Sequence, residues 1–389
     1  MSEFALTPDL IARLPARRST AASWRATHHG EAMSATNETR PTRHRRSRRR
    51  GLTALIAFII PILLSCAAAL GFTTTTALAC ACGCSVFDVG GLAMPQEQDH
   101  GGRIFFEFWS GNQTQNWIGT SKAPGSLNQD KQINTQWYNV GFSYNFNRDW
   151  GVMARAPFAN RAFTTDTGPP GGVQMFNASD IGDIEVMGMY TGFFSDMSTG
   201  IVFGIKLPTG PYTTPGFDRD TDIGSGSTDL LLGAFHRGLL TGDNSWQYFG
   251  EFLWHQPFLY RSSIDPDTGM YELYKPGMQI DGSAGILYNN LYHVLFFDKI
   301  TPLGQLIFSH RNADSGPAAD PLNTGFDRIM ISPGVELTKV VDEANNRVIK
   351  LYADVEVPIY YRVNAAYNDG TEGQLIAPYL IKLVASYNF

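Results

Sequence analysis

Cys80, Cys82 and Cys84 fall within five residues of one another in the stretch CACGC, and sulfur at that density invites chemistry. Soft thiolates hold Cu(I) or zinc. A Cys80–Cys84 disulfide is a second reading, strained by the short span, and a lipid on Cys80 is a third. The spacing is not that of a zinc finger or a haem attachment site, because neither C-x-x-C nor C-x-x-C-H occurs. The other reactive pair is Ser309-His310, a fragment of a nucleophile–base arrangement. Adjacent residues of a strand point to opposite faces, which argues against their working together. The remaining histidines after residue 80 are scattered, and no H-E-x-x-H or G-x-S-x-G motif is present. No catalytic residue and no cofactor is expected, and the chain reads as a non-enzyme.

The third group of chemical residues is spread along the chain from residue 107 to residue 382. Glu107, Arg155, Asp183, Glu185, Lys206, Glu251, Asp281, Arg328, Glu336, Lys350, Asp354, Glu356 and Lys382 alternate with apolar neighbours. In RVIKLYADVEVPIYY, Ile349, Leu351, Ala353, Val355, Val357 and Ile359 share one face, opposite Lys350, Tyr352, Asp354 and Glu356. The period of two marks amphipathic strands. Twelve are expected, near 103–111, 133–147, 150–158, 181–195, 199–208, 226–240, 244–258, 276–290, 292–308, 327–340, 346–360 and 377–389. Most have the 9–11 residues that cross a bilayer at a tilt, or more. Short connections at 147–149, 195–198, 241–243, 289–290 and 341–346 alternate with long polar ones at 112–132, 159–180, 209–225, 259–275, 309–326 and 361–376. That layout predicts an all-β fold, an antiparallel transmembrane barrel of about twelve strands with short periplasmic turns and long outer loops. Closure is required, since an open edge in lipid leaves backbone groups unpaired.

Composition agrees. Charged residues are only 17% of the chain and glycine reaches 39 residues, against about 25% charge in soluble domains. The net charge of -6 hides a basic run, RPTRHRRSRRR, at 40–50. The apolar stretch 51–72 and the A-x-A site Ala77-Leu78-Ala79 follow it, which reads as a cleaved secretory signal in place of nucleic-acid binding, with a membrane-spanning helix as the alternative. Residues 1–79 are therefore expected to be an N-terminal extension and cleaved signal. Residues 80–102 are expected to form a Cys-containing periplasmic segment or a small plug, and 103–389 the barrel in the outer membrane of a Gram-negative-type envelope. Trp109, Trp137, Trp150, Tyr190, Trp246, Tyr288 and Tyr379 lie near strand ends, where aromatic girdles occur. The chain closes on SYNF, and a terminal Phe389 with Tyr387 on the same face resembles the assembly signal read by the barrel assembly machinery.

Three stretches carry a further resemblance. GDIEVMGMY (182–190), GIKLPTGPY (204–212) and IGSGSTDLLLGAFH (223–236) are similar in order and type to the outer-membrane family of the meta-pathway of phenol degradation. The resemblance spans most of 103–389, with its sharp motifs confined to 182–236, and it does not include the cysteine cluster. It implies a single barrel that transports small, often aromatic, compounds. The thirteen charged residues above would line the lumen and set selectivity. A non-conducting barrel that docks periplasmic redox or metal proteins is the alternative, and an outer-membrane hydrolase the more remote one. The expected partners are outer-membrane lipid, the assembly machinery, a small-molecule solute and further copies of the chain.

Overall fold

A computed structural model describes residues 100–389 apart from 265–269, 290, 295 and 366–372. The cysteine cluster, the expected signal and the segment up to residue 99 lie outside the described residues. Twelve strands build the wall: β1 (Gly101–Gln113), β2 (Asp130–Asn145), β3 (Trp150–Asp166), β4 (Ile184–Tyr190), β5 (Thr199–Leu207), β6 (Ser227–Leu239), β7 (Trp246–Tyr260), β8 (Gln279–Tyr288), β9 (Phe297–Arg311), β10 (Phe326–Asp342), β11 (Arg347–Val363) and β12 (Leu380–Asn388). Each pairs antiparallel with its sequence neighbours, and β1 pairs with β12 from Arg103↔Asn388 to Gly111↔Leu380, which closes the barrel. Gly102 and Phe389 exchange both backbone hydrogen bonds at 2.7 and 2.9 Å, sealing the seam at its periplasmic end.

The closed wall explains the alternation. Ile104, Phe106, Val140, Phe142, Phe203, Leu232, Phe252, Leu306, Ile331, Leu351 and Leu383 are exposed on the outside. Glu107, Arg155, Glu185, Asp281, Arg328 and Lys382 face inward and are buried. An unbroken apolar belt around a barrel without edges suits hydrocarbon and not water. The barrel is an outer-membrane protein of a Gram-negative-type envelope.

Four expectations need correction. The strand foreseen at 181–195 is cut short at both ends. Gly182 and Asp183 leave the ladder, so β4 begins at Ile184, and it ends at Tyr190 before a turn. The loop foreseen at 159–180 is largely strand: β3 runs on to Asp166, and Val173–Ile181 pairs with this extension above β4. Part of the loops at 112–132 and 361–376 is also ordered, since Gln115–Ile118, Ser121–Lys122 and Gln374–Ile376 form a small sheet at the outer mouth. These segments face one another as well as water, and their backbone groups pair accordingly.

The fourth correction concerns the aromatic girdle. Trp150–Tyr190 and Trp246–Tyr288 are cross-strand pairs with ring centroids 4.9 Å apart, and Trp150 and Trp246 are exposed at the periplasmic end of the belt. Trp109 and Trp137 instead point into the lumen, 5–6% exposed, with centroids 6.2 Å apart. Their parity decides it, for Trp109 stands two residues from Glu107 and Trp137 two from Asn139.

Candidate functional site: the lumen and its inward loop

All thirteen charged residues singled out above lie on the lumenal side, and the structure joins them into separate groups. Near the outer end, Arg155 Nη2 donates to Glu185 Oε2 at 2.9 Å. The Lys206 ammonium stands between Asp229 (2.6 Å) and Asp183 (3.7 Å). On the far wall Lys382 lies 3.4 Å from Glu356. Asp354 beside them accepts from the hydroxyls of Ser332 and Tyr352 at 2.6 and 2.7 Å and from Gln305 at 3.3 Å. Glu107 accepts from Asn139 at 2.5 Å, and Asp281 from Gln279 at 2.7 Å. Glu251 faces Ser283 across the β7–β8 pair, while Arg328 stands opposite Ser309 with its guanidinium 5.1 Å over the Phe326 ring. Lys350 pairs with Glu336 at 3.0 Å toward the periplasmic rim. Oppositely charged groups held together inside a narrow wall repay each other's desolvation.

Sequence reasoning missed Asp229, and it missed the apolar lining. Met153, Met187, Met189, Val202, Phe235, Phe249 and Leu253 cover the inner wall toward the periplasm and are buried. Reading the inner face as uniformly polar overlooked that these residues share parity with Arg155, Glu185 and Glu251. Ser309 is buried in the lumen, whereas the neighbouring His310 turns outward and meets Asp327 at 2.6 Å. They form no nucleophile–base pair.

The connection between β5 and β6 turns inward. Residues 208–226 fold back into the barrel, leaving Thr221, Asp222 and Ile223 buried. One carboxylate pins both ends of this loop. Asp183 accepts from the backbone N–H of Gly210 (3.1 Å), the backbone N–H of Ser225 (2.8 Å) and the Ser225 hydroxyl (2.5 Å). Thr209 completes the clasp, its hydroxyl donating to the Gly182 carbonyl at 2.6 Å and accepting from Ile184 N–H at 3.0 Å. The loop crosses itself where Gly224 N–H donates to the Pro211 carbonyl at 2.7 Å. A Cβ on Gly224 would stand 2.4 Å from the Gly210 backbone, so the crossing needs glycine. The GD, PTG and GSG stretches thus form one structure, with Asp183 as its centre.

The tip of the loop is held from two sides. Arg161 donates through Nη1 to the carbonyls of Thr221 and Asp222, the latter at 2.9 Å, while its Nε reaches the Thr135 hydroxyl at 2.9 Å. The Arg219 guanidinium lies 4.1 Å from the centre of the Tyr274 ring in the β7–β8 loop, and Tyr274 donates to Asp314 in the β9–β10 loop. A cation over an aromatic face contributes about 0.5–2 kcal/mol. Beneath the loop lies a cavity of about 90 Å³, with Trp109, Trp137, Arg155, Lys206, Asp222 and His255 in its lining. That is room for several waters.

Burial pushes the Asp222 carboxyl up to about 6, against the pull of the Thr214 N–H and the Arg219 and Arg161 charges. A carboxyl easier to protonate in the docked loop than in a free one favours docking most in acid. The contribution is full below the ordinary value of 3.8 and is lost as pH rises to about 6, a change of up to about 3 kcal/mol. Protease sensitivity of the loop is therefore expected to increase between pH 4 and pH 6.5, and Asp222→Asn is expected to flatten that profile.

No family model matches the chain, and no curated protein matches it. Among solved structures, it is similar to the crystal structure of an outer membrane channel from Pseudomonas putida F1. The TM-score is 0.52 at 12% identity, covering 78% of this chain and 100% of that one. The β domain of a Bordetella autotransporter follows at TM-score 0.41 and 10% identity, with 74% and 100% covered. A bacterial polysaccharide outer membrane secretin follows at 0.31 and 10%, with 74% and 97% covered. The first likeness is one of fold: a closed β-barrel of the outer membrane.

Proposed function

We propose that this chain is an outer-membrane channel for small solutes, held narrow by its own β5–β6 loop. The observation that carries the reading is the Asp183 clasp, which spends a buried carboxylate on holding a polar loop inside a charged lumen. A barrel serving only as a scaffold needs no such loop. Twelve strands enclose a space between the side-chain-filled eight-stranded barrel and the open sixteen-stranded pore, so an inward loop changes the bore decisively. Small aromatic or hydrophobic compounds are the solute class best supported. The Trp109–Trp137 pair offers a stacking wall at the cavity, and the motif resemblance points the same way. Selectivity would come from the thirteen lumenal charges, together with Asp229. Tyr387 and Phe389, stacked with centroids 6.1 Å apart at the end of β12, support an assembly-signal role.

Swelling of proteoliposomes in benzoate, compared with a trisaccharide of larger cross-section, tests the reading. Benzoate entry through the barrel with the trisaccharide excluded is expected; equal rates with and without protein would sink it. Lys206→Met leaves Asp183 and Asp229 without the ammonium between them. Its cation-over-chloride preference in a KCl gradient is expected to rise roughly twofold or more, as charged rings set pore selectivity.

A further inference from the structure

We propose that the inner wall of β7–β9 carries a subsite for a primary ammonium group. Asp281 on β8 stands directly opposite Leu253 on β7 and Ser309 on β9. Ser283 follows two residues along on the same face, and His255 lies diagonally on β7. All four polar residues are at most 5% exposed. Asp281 Oδ2 accepts from Gln279 and lies 4.0 Å from His255 Nε2. Asp281 Oδ1, Ser283 Oγ, Ser309 Oγ and His255 Nε2 have no hydrogen-bond partner among the described residues. Buried polar atoms are seldom left in that state, and here four lie on one inward-facing patch of three adjacent strands.

The chemistry of the patch selects its ligand. Asp281 Oδ1 offers one negatively charged acceptor, and the hydroxyls of Ser309, opposite it on β9, and Ser283, two residues along β8, offer lone pairs. A primary ammonium carries one positive charge and three N–H donors, matching these three oxygens in charge and number. An anion would meet repulsion from Asp281 and from Glu251, the next inward residue but one along β7 from His255. Among the described residues, no group of three His, Cys, Asp and Glu has metal-holding spacing. Arg328, directly opposite Ser309 on β10, bounds the patch on that side.

Access follows from the register. His255, Gln279 and Arg311 form one cross-strand row and line the cavity under the inward loop. Asp281 and Ser309 form the next row toward the periplasm, about 7 Å further along the wall at two residues of strand rise. An amine entering that cavity passes one layer of side chains to reach them. The subsite rests on the channel reading for this route, and its binding is measurable without conduction.

Methylammonium titrated into the refolded barrel in detergent, followed by calorimetry, tests the proposal. Saturable binding is expected, weakened at least tenfold by Asp281→Asn and several-fold by Ser309→Ala. Tetramethylammonium has the same charge but no N–H donor and is expected not to bind at this site. Equal binding of the two cations by the native protein would overturn the proposal, and so would unchanged affinity in a folded Asp281→Asn or Ser309→Ala barrel. If Asp281→Asn does not fold, the native-protein comparison and Ser309→Ala still decide. Intact methylammonium binding in a barrel that conducts nothing would instead overturn the channel reading alone.

Discussion

Replacing Asp183 by alanine is expected to release the β5–β6 loop from the lumen while the barrel itself stays folded. The carboxylate accepts three hydrogen bonds from Gly210 and Ser225 and faces Lys206. Leaving the two buried N–H groups and the Ser225 hydroxyl without their acceptor costs about 1–3 kcal/mol for each group, while Lys206 keeps Asp229 at 2.6 Å. The loss falls on loop docking, since the strands keep their own ladders. Limited proteolysis of the variant in vesicles should cut within 211–224 under conditions that leave the native protein whole. Asp183→Asn is expected to be intermediate, because an amide oxygen still accepts from one N–H but brings no charge for Lys206. Equal protease resistance of native and alanine proteins would remove Asp183 from the centre of the clasp.

The second large effect concerns the wall. Leu306 is half-exposed on the outside of β9, opposite Ile331 and midway along its strand. An arginine there must place its guanidinium among lipid tails, at about 2–4 kcal/mol near the bilayer midplane. Folding into phosphatidylcholine vesicles, read by the heat-modifiable shift on gels and by urea titration, should show that loss for Leu306→Arg. Leu306→Met conserves volume and polarity and should cost under about 1.5 kcal/mol. A tolerated arginine would place this face in water and contradict the membrane assignment.

Much of the wall was legible in the sequence because the relevant signal is local. Each strand declares itself through its own alternation, as in Ile349 to Ile359, and the contrast of short and long connections gives the direction of travel. Lumen-facing parity followed for residues such as Glu107 and Lys382. Parity also carries the inward placement of Trp109 and Trp137, against the girdle pattern. The clasp was not legible, because it is a meeting of segments far apart in the chain. Asp183 and Ser225 are 42 residues apart, and nothing in GD or GSG alone says that they touch. The PTG stretch reads locally as a strand end, which is true of Pro208 but omits Thr209 bridging Gly182 and Ile184. The patch around Asp281 was hidden for the same reason: its members sit on three strands, and their shared lack of partners exists only once the barrel closes.

The central claim is that a conducting barrel is narrowed by its own loop, and single-channel recording in a planar bilayer tests it most directly. Native protein is expected to give small, discrete conductance steps. Asp183→Ala, in the same salt and lipid, is expected to give steps several-fold larger, since a wide lumen conducts in proportion to its open section. Native and variant barrels that insert with identical steps, or that insert and pass no current, would contradict the account.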